Sequence, residues 1–437
     1  MSSKGLLTAL SVLCFFGVSK LAFAAAGDPI ATDADLPAPK VIGAPTIWVH
    51  QVAGQPGTVV FANGAVVTKT MGGLPLTVPL AYAMNNAHPG DVIACSGELA
   101  GVEIGKYNPN KPFAVYWPNG AVVRDISIVS EDPAHPCIIR DTGIMGNYMI
   151  PGSSGVDDLT FKDIIFKNTA DSGTAFIVFG GSIHGMLRFY NVGFASVDPT
   201  AYSGYGLKWN IRANGRARYD IRGMDLKGAQ EHGLYLDSPG ADGAGDSYFL
   251  DIRQNAPTGR TGIQIVNRAY ASAAGGPTGL GDLYFRRLNL WTMAGGGGSG
   301  LTVVGHLGTV FVDTLFYKGN LGAVVFWSDS GKGLHLDSKG FTTTAAVLEN
   351  IHVDSPNADR SHIAIKGVGY TKIRRFFVKG NKVAVDLDSP SGGPVYNGVV
   401  EFQTTGALSK WNGFKSYIKV KKNGQTLSNT QIDTIWP

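Results

Sequence analysis

A short motif recurs along most of this 437-residue chain: a glycine, a few residues that alternate inward apolar and outward positions, a loop, and a second segment rich in aromatic residues. The glycine-led segments are Gly173–Val178, Gly206–Asn210, Gly233–Asp237, Gly262–Val266, Gly300–Val304 and Gly322–Phe326, and Ile363–Ile365 and Val383–Val385 continue the series. The second segments are Leu159–Phe166, Leu187–Phe194, Tyr219–Leu226, Tyr248–Ile252, Leu283–Leu290, Val310–Phe316, Val347–Val353 and Ile373–Val378. Each pair of segments occupies roughly 20 to 40 residues, which is typical of a solenoid repeat.

Repeats of this kind cannot bury their apolar faces alone, so they stack into one continuous core. No helical stretch separates the strands, which argues against a βαβ fold. The pattern therefore predicts an all-β protein, a single-stranded right-handed parallel β-helix. A β-propeller is the alternative, although its blade signatures and hairpin turns are absent.

Composition and charge narrow the class of protein further. The chain has 59 glycines, 44% hydrophobic residues and only 16% charged residues, which is too apolar for a disordered protein, and no Gly-X-Y period indicates collagen. The net charge of +4 falls to about +2 once Lys4 and Lys20 are removed with the segment described next. A nucleic-acid or membrane partner is therefore not predicted.

The first 24 residues have the pattern of a secretory signal peptide. Lys4 precedes an apolar stretch, Leu6–Val18, and Ala22-Phe23-Ala24 forms a cleavage site. We therefore expect a secreted or periplasmic bacterial protein with three parts: a signal peptide (1–24), an N-terminal extended segment (25–75), and a β-helix with a C-terminal cap (76–437).

A short amphipathic helix is predicted before the repeats begin. Its apolar residues have helical spacing and Pro89-Gly90 ends it; they are Val78, Leu80, Ala81, Met84 and Ala87. The run Ala87-His88-Pro89-Gly90-Asp91-Val92-Ile93 resembles the N-terminal cap of pectate-lyase-like right-handed β-helix proteins, which include polysaccharide lyases, polygalacturonase-type hydrolases and phage tailspikes. The resemblance covers about residues 76–430 and implies this fold with a short capping helix. The combination of Asn-x-Asp with Asp-Asp and Gly-His-Gly that marks polygalacturonases is absent, as is the Asp-Pro-His of epimerases, so the function is argued from the site.

Polar side chains cluster on the outward face of three neighbouring repeats. Aligning the glycines places three pairs on the core face: Leu207 and Trp209, Leu234 and Leu236, and Ile263 and Ile265. The opposite face then carries Lys208, Asn210, Tyr235, Asp237 and Gln264 on strands about 4.8 Å apart. Near the strand ends lie Glu231, His232, Arg260, Asn267 and Arg268.

These residue types suit the cleavage of an acidic polysaccharide by β-elimination. Arg260 can neutralise a uronate carboxylate, as can Arg268 or Lys208. His232 is the expected base and Tyr235 the expected acid. The residues expected to contact substrate are Lys208, Asn210, Gln264, Asn267, Arg268 and Asp246.

Two other functions remain open. A glycoside hydrolase needs two carboxyl groups, about 5–5.5 Å apart for retention or about 6.5–9.5 Å for inversion, which Asp237 could supply with Glu231 or Asp246. A non-catalytic polysaccharide-binding or adhesive protein is the third possibility. Substitution of His232 or Tyr235 should abolish a lyase, and substitution of Asp237 a hydrolase.

No cofactor is predicted. The histidines have no short ligand spacing with cysteines or acids, which argues against zinc, and calcium is possible only through the family resemblance. Cys14 leaves with the signal, and Cys95 and Cys137 could pair in an oxidising compartment. If they lay two strand layers apart, their Cα atoms would be about 9.6 Å apart, beyond the usual limit of about 7 Å, so the pairing stays open.

Overall fold

A computed structural model describes much of the chain. The residues it describes are 33–101, 103–104, 114–115, 123–140, 156–168, 177–180, 183–196, 203–210, 218–226, 229–237, 245–254, 259, 261–266, 281–292, 299–304, 308–319, 324–327, 345–354, 363–366, 371–373, 375–379, 383–388, 395–396, 398–403, 408–412, 418–422, 425–428 and 430–431. The chain divides into two compact units, residues 1–37 and 38–437. In the first unit, Asp33–Asp35 form a short 3-10 helix, and the predicted signal peptide lies outside the described residues.

The described residues of the second unit begin with strands and one α-helix, α1. These elements are β1 (Ile47–Gln51), β2 (Thr58–Phe61), β3 (Val66–Val67), α1 (Pro79–Asn85), β4 (Val92–Ala100), β5 (Glu103–Ile104), β6 (Ala114–Val115), β7 (Val123–Ser130), β8 (Cys137–Arg140), β9 (Val156–Lys162) and β10 (Ile164–Asn168). Helix α1 confirms the helix predicted from apolar spacing. It begins at Pro79, whose missing N–H costs nothing at this position, and it buries Leu80 and Met84.

The later strands match the predicted repeats closely. They are β11 (Ile177–Gly180), β12 (Ile183–Ser196), β13 (Ser203–Asn210), β14 (Arg218–Leu226), β15 (Ala229–Asp237), β16 (Ser247–Gln254), β17 (Ile263–Val266), β18 (Leu283–Trp291), β19 (Leu301–Val304), β20 (Thr309–Lys318), β21 (Val324–Trp327), β22 (Ala345–Asp354), β23 (Ile363–Lys366), β24 (Thr371–Ile373), β25 (Arg375–Lys379), β26 (Val383–Asp388), β27 (Val395–Tyr396), β28 (Gly398–Gln403), β29 (Leu408–Asn412), β30 (Ile418–Lys422) and β31 (Gln425–Thr426). Of the segment predicted at 173–178, the structure describes only Ile177 and Val178.

Within the described residues, the strands form a large sheet of 20 strands, a small sheet of nine and the pair β5–β6. The small sheet runs β11-β13-β15-β17-β19-β21-β23-β26-β29, and every pairing in it is parallel. In the large sheet, antiparallel pairing occurs at the two ends, where β1, β2 and β3 pair and where β30 pairs with β31. From β11 to β22 the chain alternates between the two sheets. The fold is thus all-β with mostly parallel sheets, as predicted.

A residue in the left-handed conformation recurs at one register position of the large sheet, in β12, β14, β16, β18, β20 and β22 and between β9 and β10. With φ between 53° and 69°, these residues are Asp163, Asn191, Gly223, Asp251, Arg287, Thr314 and Asn350. The residue shifts the side-chain alternation, so the buried residues on either side, such as Phe189 and Val192, are three apart instead of two. One strand thereby presents apolar residues to the core from two adjoining segments.

The recurring glycines of the small-sheet repeats, which lie within a strand or just before it, mark a close backbone approach. A Cβ atom on Gly233 would lie 2.6 Å from the carbonyl oxygen of Gly262, and one on Gly262 would lie 2.8 Å from that of Gly300. Both distances are too short for a side chain, so the recurrence of glycine that defines the repeat has a steric cause.

Cys95 and Cys137 form a disulfide, with their Cα atoms 5.8 Å apart. Cys95 lies in β4, and Cys137 begins β8. Strand β8 pairs directly with the last three residues of β4, Glu98–Ala100. The two cysteines are therefore on neighbouring strands, and the larger separation considered from the sequence does not arise. Among the described residues, no helix is long and apolar enough to cross a membrane.

Candidate functional site

The predicted site lies on three adjacent strands of the small sheet. Lys208 on β13 is in register with Tyr235 on β15, and Tyr235 with Gln264 on β17. The predicted core face is confirmed where side chains are described, because Leu234, Leu236, Ile263 and Ile265 are fully buried. Since side chains alternate along a strand, Tyr235 and Gln264 lie on the face opposite the core, and Lys208 holds the same register position on β13. We call these three register positions the outer row.

Tyr235 is more enclosed than expected for a solvent-facing strand residue. Only 6% of Tyr235 is exposed. Thr302 on β19, which is in register with Gln264, is buried as well. Thr302 makes a close hydroxyl contact with Ser299, which is itself buried. Gln264 is half-buried. The outer row is therefore a covered surface at Tyr235 and Thr302, where water is largely excluded.

Most of the other predicted site residues lie outside the part of the chain whose side chains are described. For Lys208, Asn210, Glu231, His232 and Asp237 the structure gives the backbone alone, and Arg260, Asn267 and Arg268 lie outside the described residues altogether. The backbone register pairs Tyr205 with His232 and Asp237 with Val266.

Asp246 is described with its side chain and lies beside the large sheet. It directly precedes β16 in the large sheet, where its Oδ1 accepts a hydrogen bond of 2.8 Å from the backbone N–H of Asp282. Asp237 ends β15 in the small sheet, whereas Asp246 precedes β16 in the large sheet. Asp246 belongs to a second cluster, made of Asp246, Tyr248, Asp282 and Tyr284, which we call the Asp–Tyr cluster.

The Asp–Tyr cluster repeats one motif on two paired strands. Asp246-Ser247-Tyr248 and Asp282-Leu283-Tyr284 are in register, and the two tyrosine rings stack with centroids 5.5 Å apart. The ring of Phe311 continues the stack, 4.8 Å beyond Tyr284. The repeated Asp-x-Tyr motif was the signal in the sequence that could have identified this cluster, because equal spacing on stacked strands places equal residues side by side.

Burial perturbs the acid–base behaviour of this cluster. Burial raises the pKa of Asp282, and the charge of Asp246 adds to that effect, while a 2.7 Å hydrogen bond from the backbone N–H of Thr309 opposes it. Burial also raises the pKa of Tyr248 to about 12, again with a contribution from the charge of Asp246. Two neighbouring carboxyl groups of which one holds its proton more strongly are the arrangement that acid–base hydrolysis uses.

The described side chains do not fit the calcium ion that the family resemblance left possible. Calcium takes six to eight oxygen ligands. In both Asp246 and Asp282, one carboxylate oxygen already accepts a hydrogen bond from a backbone N–H of the neighbouring strand. In the described part of the chain, no three histidine, cysteine or acidic side chains are grouped to hold a metal.

Comparison with known proteins adds no further assignment. No protein-family model matches the chain, and neither a curated protein nor a solved structure matches it. Any function must therefore be argued from the two clusters themselves.

Proposed function

We propose that this protein is a secreted or periplasmic enzyme that cleaves an acidic polysaccharide by β-elimination. The observation that carries the proposal is the outer row: a lysine, an enclosed tyrosine and a glutamine in register on three parallel strands. A cation beside a phenol in a water-poor setting suits a substrate that carries a carboxylate near the bond to be broken.

The fold proposed for this enzyme is a single-stranded right-handed parallel β-helix. It is supported by the alternation of successive strands between two parallel sheets and by their strict register. The hand follows from the general preference of parallel crossover connections for right-handed turns. Such a fold presents equivalent side chains along its axis, which suits a linear polymer.

The proposed reaction assigns one task to each group. Arg260 or Lys208 neutralises the uronate carboxylate, which makes the C5 proton more acidic. His232 removes that proton, the electron pair forms the C4–C5 double bond, and the glycosidic C–O bond breaks. Tyr235 donates its proton to the departing oxygen. Asn210, Gln264, Asn267 and Arg268 bind the neighbouring sugars.

The test is an activity assay read in two ways. The mature protein is incubated with polygalacturonate, alginate and hyaluronan, and both reducing ends and the ultraviolet absorbance of unsaturated uronates are measured. We expect both signals to rise, and Tyr235→Phe to lose about 10²–10⁴-fold in rate, the usual contribution of an acid–base group. Tyr82→Phe removes a hydroxyl from a residue of helix α1 and should leave the rate unchanged. Full activity in Tyr235→Phe would contradict the assignment.

A glycoside hydrolase centred on the Asp–Tyr cluster is the second candidate. The observation that favours it is the raised pKa of Asp282 beside Asp246, which would make Asp282 the acid and Asp246 the base or nucleophile. This reaction releases reducing ends without ultraviolet absorbance. Asp282→Asn should then abolish activity, whereas Tyr235→Phe should have little effect, so the two candidates give opposite results.

A further inference from the structure

Residues 38–46, which we call the strap, run along the outer face of the large sheet across successive strands. At one end Thr46 is held beside β4, with its backbone N–H donating to the carbonyl oxygen of Val92 at 2.9 Å. At the other end the backbone N–H of Lys40 donates to the Tyr190 hydroxyl on β12 at 3.0 Å. The Lys40 ammonium reaches back to β7, where it forms an ion pair with Asp125 and lies 3.4 Å from Ser127 Oγ.

The face near the strap is polar rather than apolar. Ser127 and Thr160 lie on neighbouring strands in one outward row, and both are almost completely buried. Tyr190 is also buried, and its hydroxyl donates to Asp220 Oδ2 at 2.6 Å. We call Asp125, Ser127, Thr160, Tyr190 and Asp220 the lane. A chain segment that served only to stabilise the core would be expected to cover apolar side chains instead.

One group of the lane is left unsatisfied. Thr160 Oγ1 is buried and has no hydrogen-bond partner among the described residues, although its neighbour Ser127 contacts Lys40. A buried hydroxyl without a hydrogen-bond partner costs about 1–3 kcal/mol in mutational data. With the strap in place, the hydrogen-bonding capacity of the lane is therefore not fully used. A ligand with its own hydroxyl groups could satisfy Thr160 where the strap does not.

Between its two ends the strap has two positions that face solvent. Val41 is 91% exposed, and a Cβ atom on Gly43 would meet nothing within 4 Å. Lys40 supplies the described polar contacts to β7 and β12, so it acts as the clasp.

We propose that the strap opens and that the lane beneath it binds a neutral, hydroxyl-rich stretch of the polysaccharide. Stacked strands repeat about every 4.8 Å, close to the length of one sugar unit, so successive hydroxyls of the lane can contact successive sugars. Two other cations lie on this face: Arg188, in register with Thr160 and Asp220, pairs with Asp158, and Arg222 pairs with Asp220. When Lys40 leaves, Asp125 loses the cation that contacts it, so opening adds an uncompensated carboxylate and the lane then disfavours a uronate. This inference rests on the proposed function for its ligand class, and it extends the substrate to a polymer that contains both acidic and neutral sugars.

The experiment compares Lys40→Met, which keeps the apolar stem but removes the clasp, with the parent and with Val41→Ser as the matched control. Hydrogen exchange of residues 38–46 reports opening, and calorimetry with cellohexaose and with hexagalacturonate reports binding. We expect faster exchange in Lys40→Met and about tenfold tighter binding of cellohexaose, because the closed fraction no longer weakens the apparent affinity. Adding Thr160→Val should cancel that gain, and Val41→Ser should behave as the parent.

The possible failures are distinguishable. Unchanged exchange in Lys40→Met would refute the clasp, and faster exchange without tighter cellohexaose binding would refute the lane. A gain for hexagalacturonate instead of cellohexaose would refute the charge argument. The catalytic proposal is judged separately, by product formation in Tyr235→Phe, since Tyr235 lies on the other sheet.

Discussion

Replacing Gly233 by alanine tests why glycine recurs in the small-sheet repeats. The added Cβ atom would lie 2.6 Å from the backbone oxygen of Gly262 and 2.9 Å from Leu226 Cδ1. Backbone cannot yield as easily as the end of a flexible side chain, so the strand itself must shift. Overpacking of this kind costs about 1–3 kcal/mol, and we expect the free energy of unfolding of Gly233→Ala to fall by that amount.

The measurement is urea unfolding of the mature protein, with Gly43→Ala as the control. Gly43 has open space around it and no positive φ, so alanine there should raise stability by about 0.4–1 kcal/mol through the unfolded chain. Gly233→Ala should also lower catalytic activity, because Tyr235 lies two residues along the same strand. If the two alanine variants unfolded at the same urea concentration, the steric explanation of the repeat would be refuted.

Three further predictions concern other features. Reducing the disulfide Cys95–Cys137, which closes a loop with a sequence separation of 42, should lower the free energy of unfolding by about 4 kcal/mol, and a double alanine variant should not respond to reductant. Gly223→Ala should cost about 1–2 kcal/mol because φ is +69°, and Gly223→Asn should cost less, measured by the same unfolding assay. Burial raises the pKa of Asp282 above 3.8, so the folded state holds this proton more strongly than the unfolded state. The parent should therefore lose stability as pH rises from about 3.8 through that raised pKa, and Asp282→Asn should lack this loss in unfolding curves taken across that range.

Much of the strand pattern could be predicted because its causes are local. A glycine is required wherever two backbones approach closely, and alternation of apolar residues follows from the geometry of a strand. The predicted segments Tyr219–Leu226 and Leu283–Leu290 therefore agree with β14 and β18 to within a residue. Helix α1 was predictable for the same reason, since Pro79 and the spacing of Leu80 and Met84 lie within one short segment.

The left-handed residues in the large sheet carry no single sequence signal. Aspartate, asparagine, glycine, arginine and threonine all occupy this position, as Asn191, Arg287 and Thr314 show. The position is set by the strands stacked on either side, and tertiary context overrides residue preference there.

The contacts that build the candidate sites are equally non-local. Lys40 meets Tyr190 across 150 residues of sequence, and Asp246 accepts a hydrogen bond from Asp282, 36 residues away. For the outer row, sequence correctly predicted the register of Lys208, Tyr235 and Gln264, but alternation alone cannot indicate what covers Tyr235.

The two ends of the large sheet have a consequence for the behaviour of the protein at high concentration. A parallel sheet of this length would ordinarily offer its last strands as templates on which another molecule could continue the ladder. Here the terminal strands β3 and β31 are only two residues long and run against their neighbours, and Lys421 and Lys422 lie beside β31. Continuation of the large sheet by another molecule is therefore opposed at these two ends by the shortness and the direction of the chain's own terminal strands.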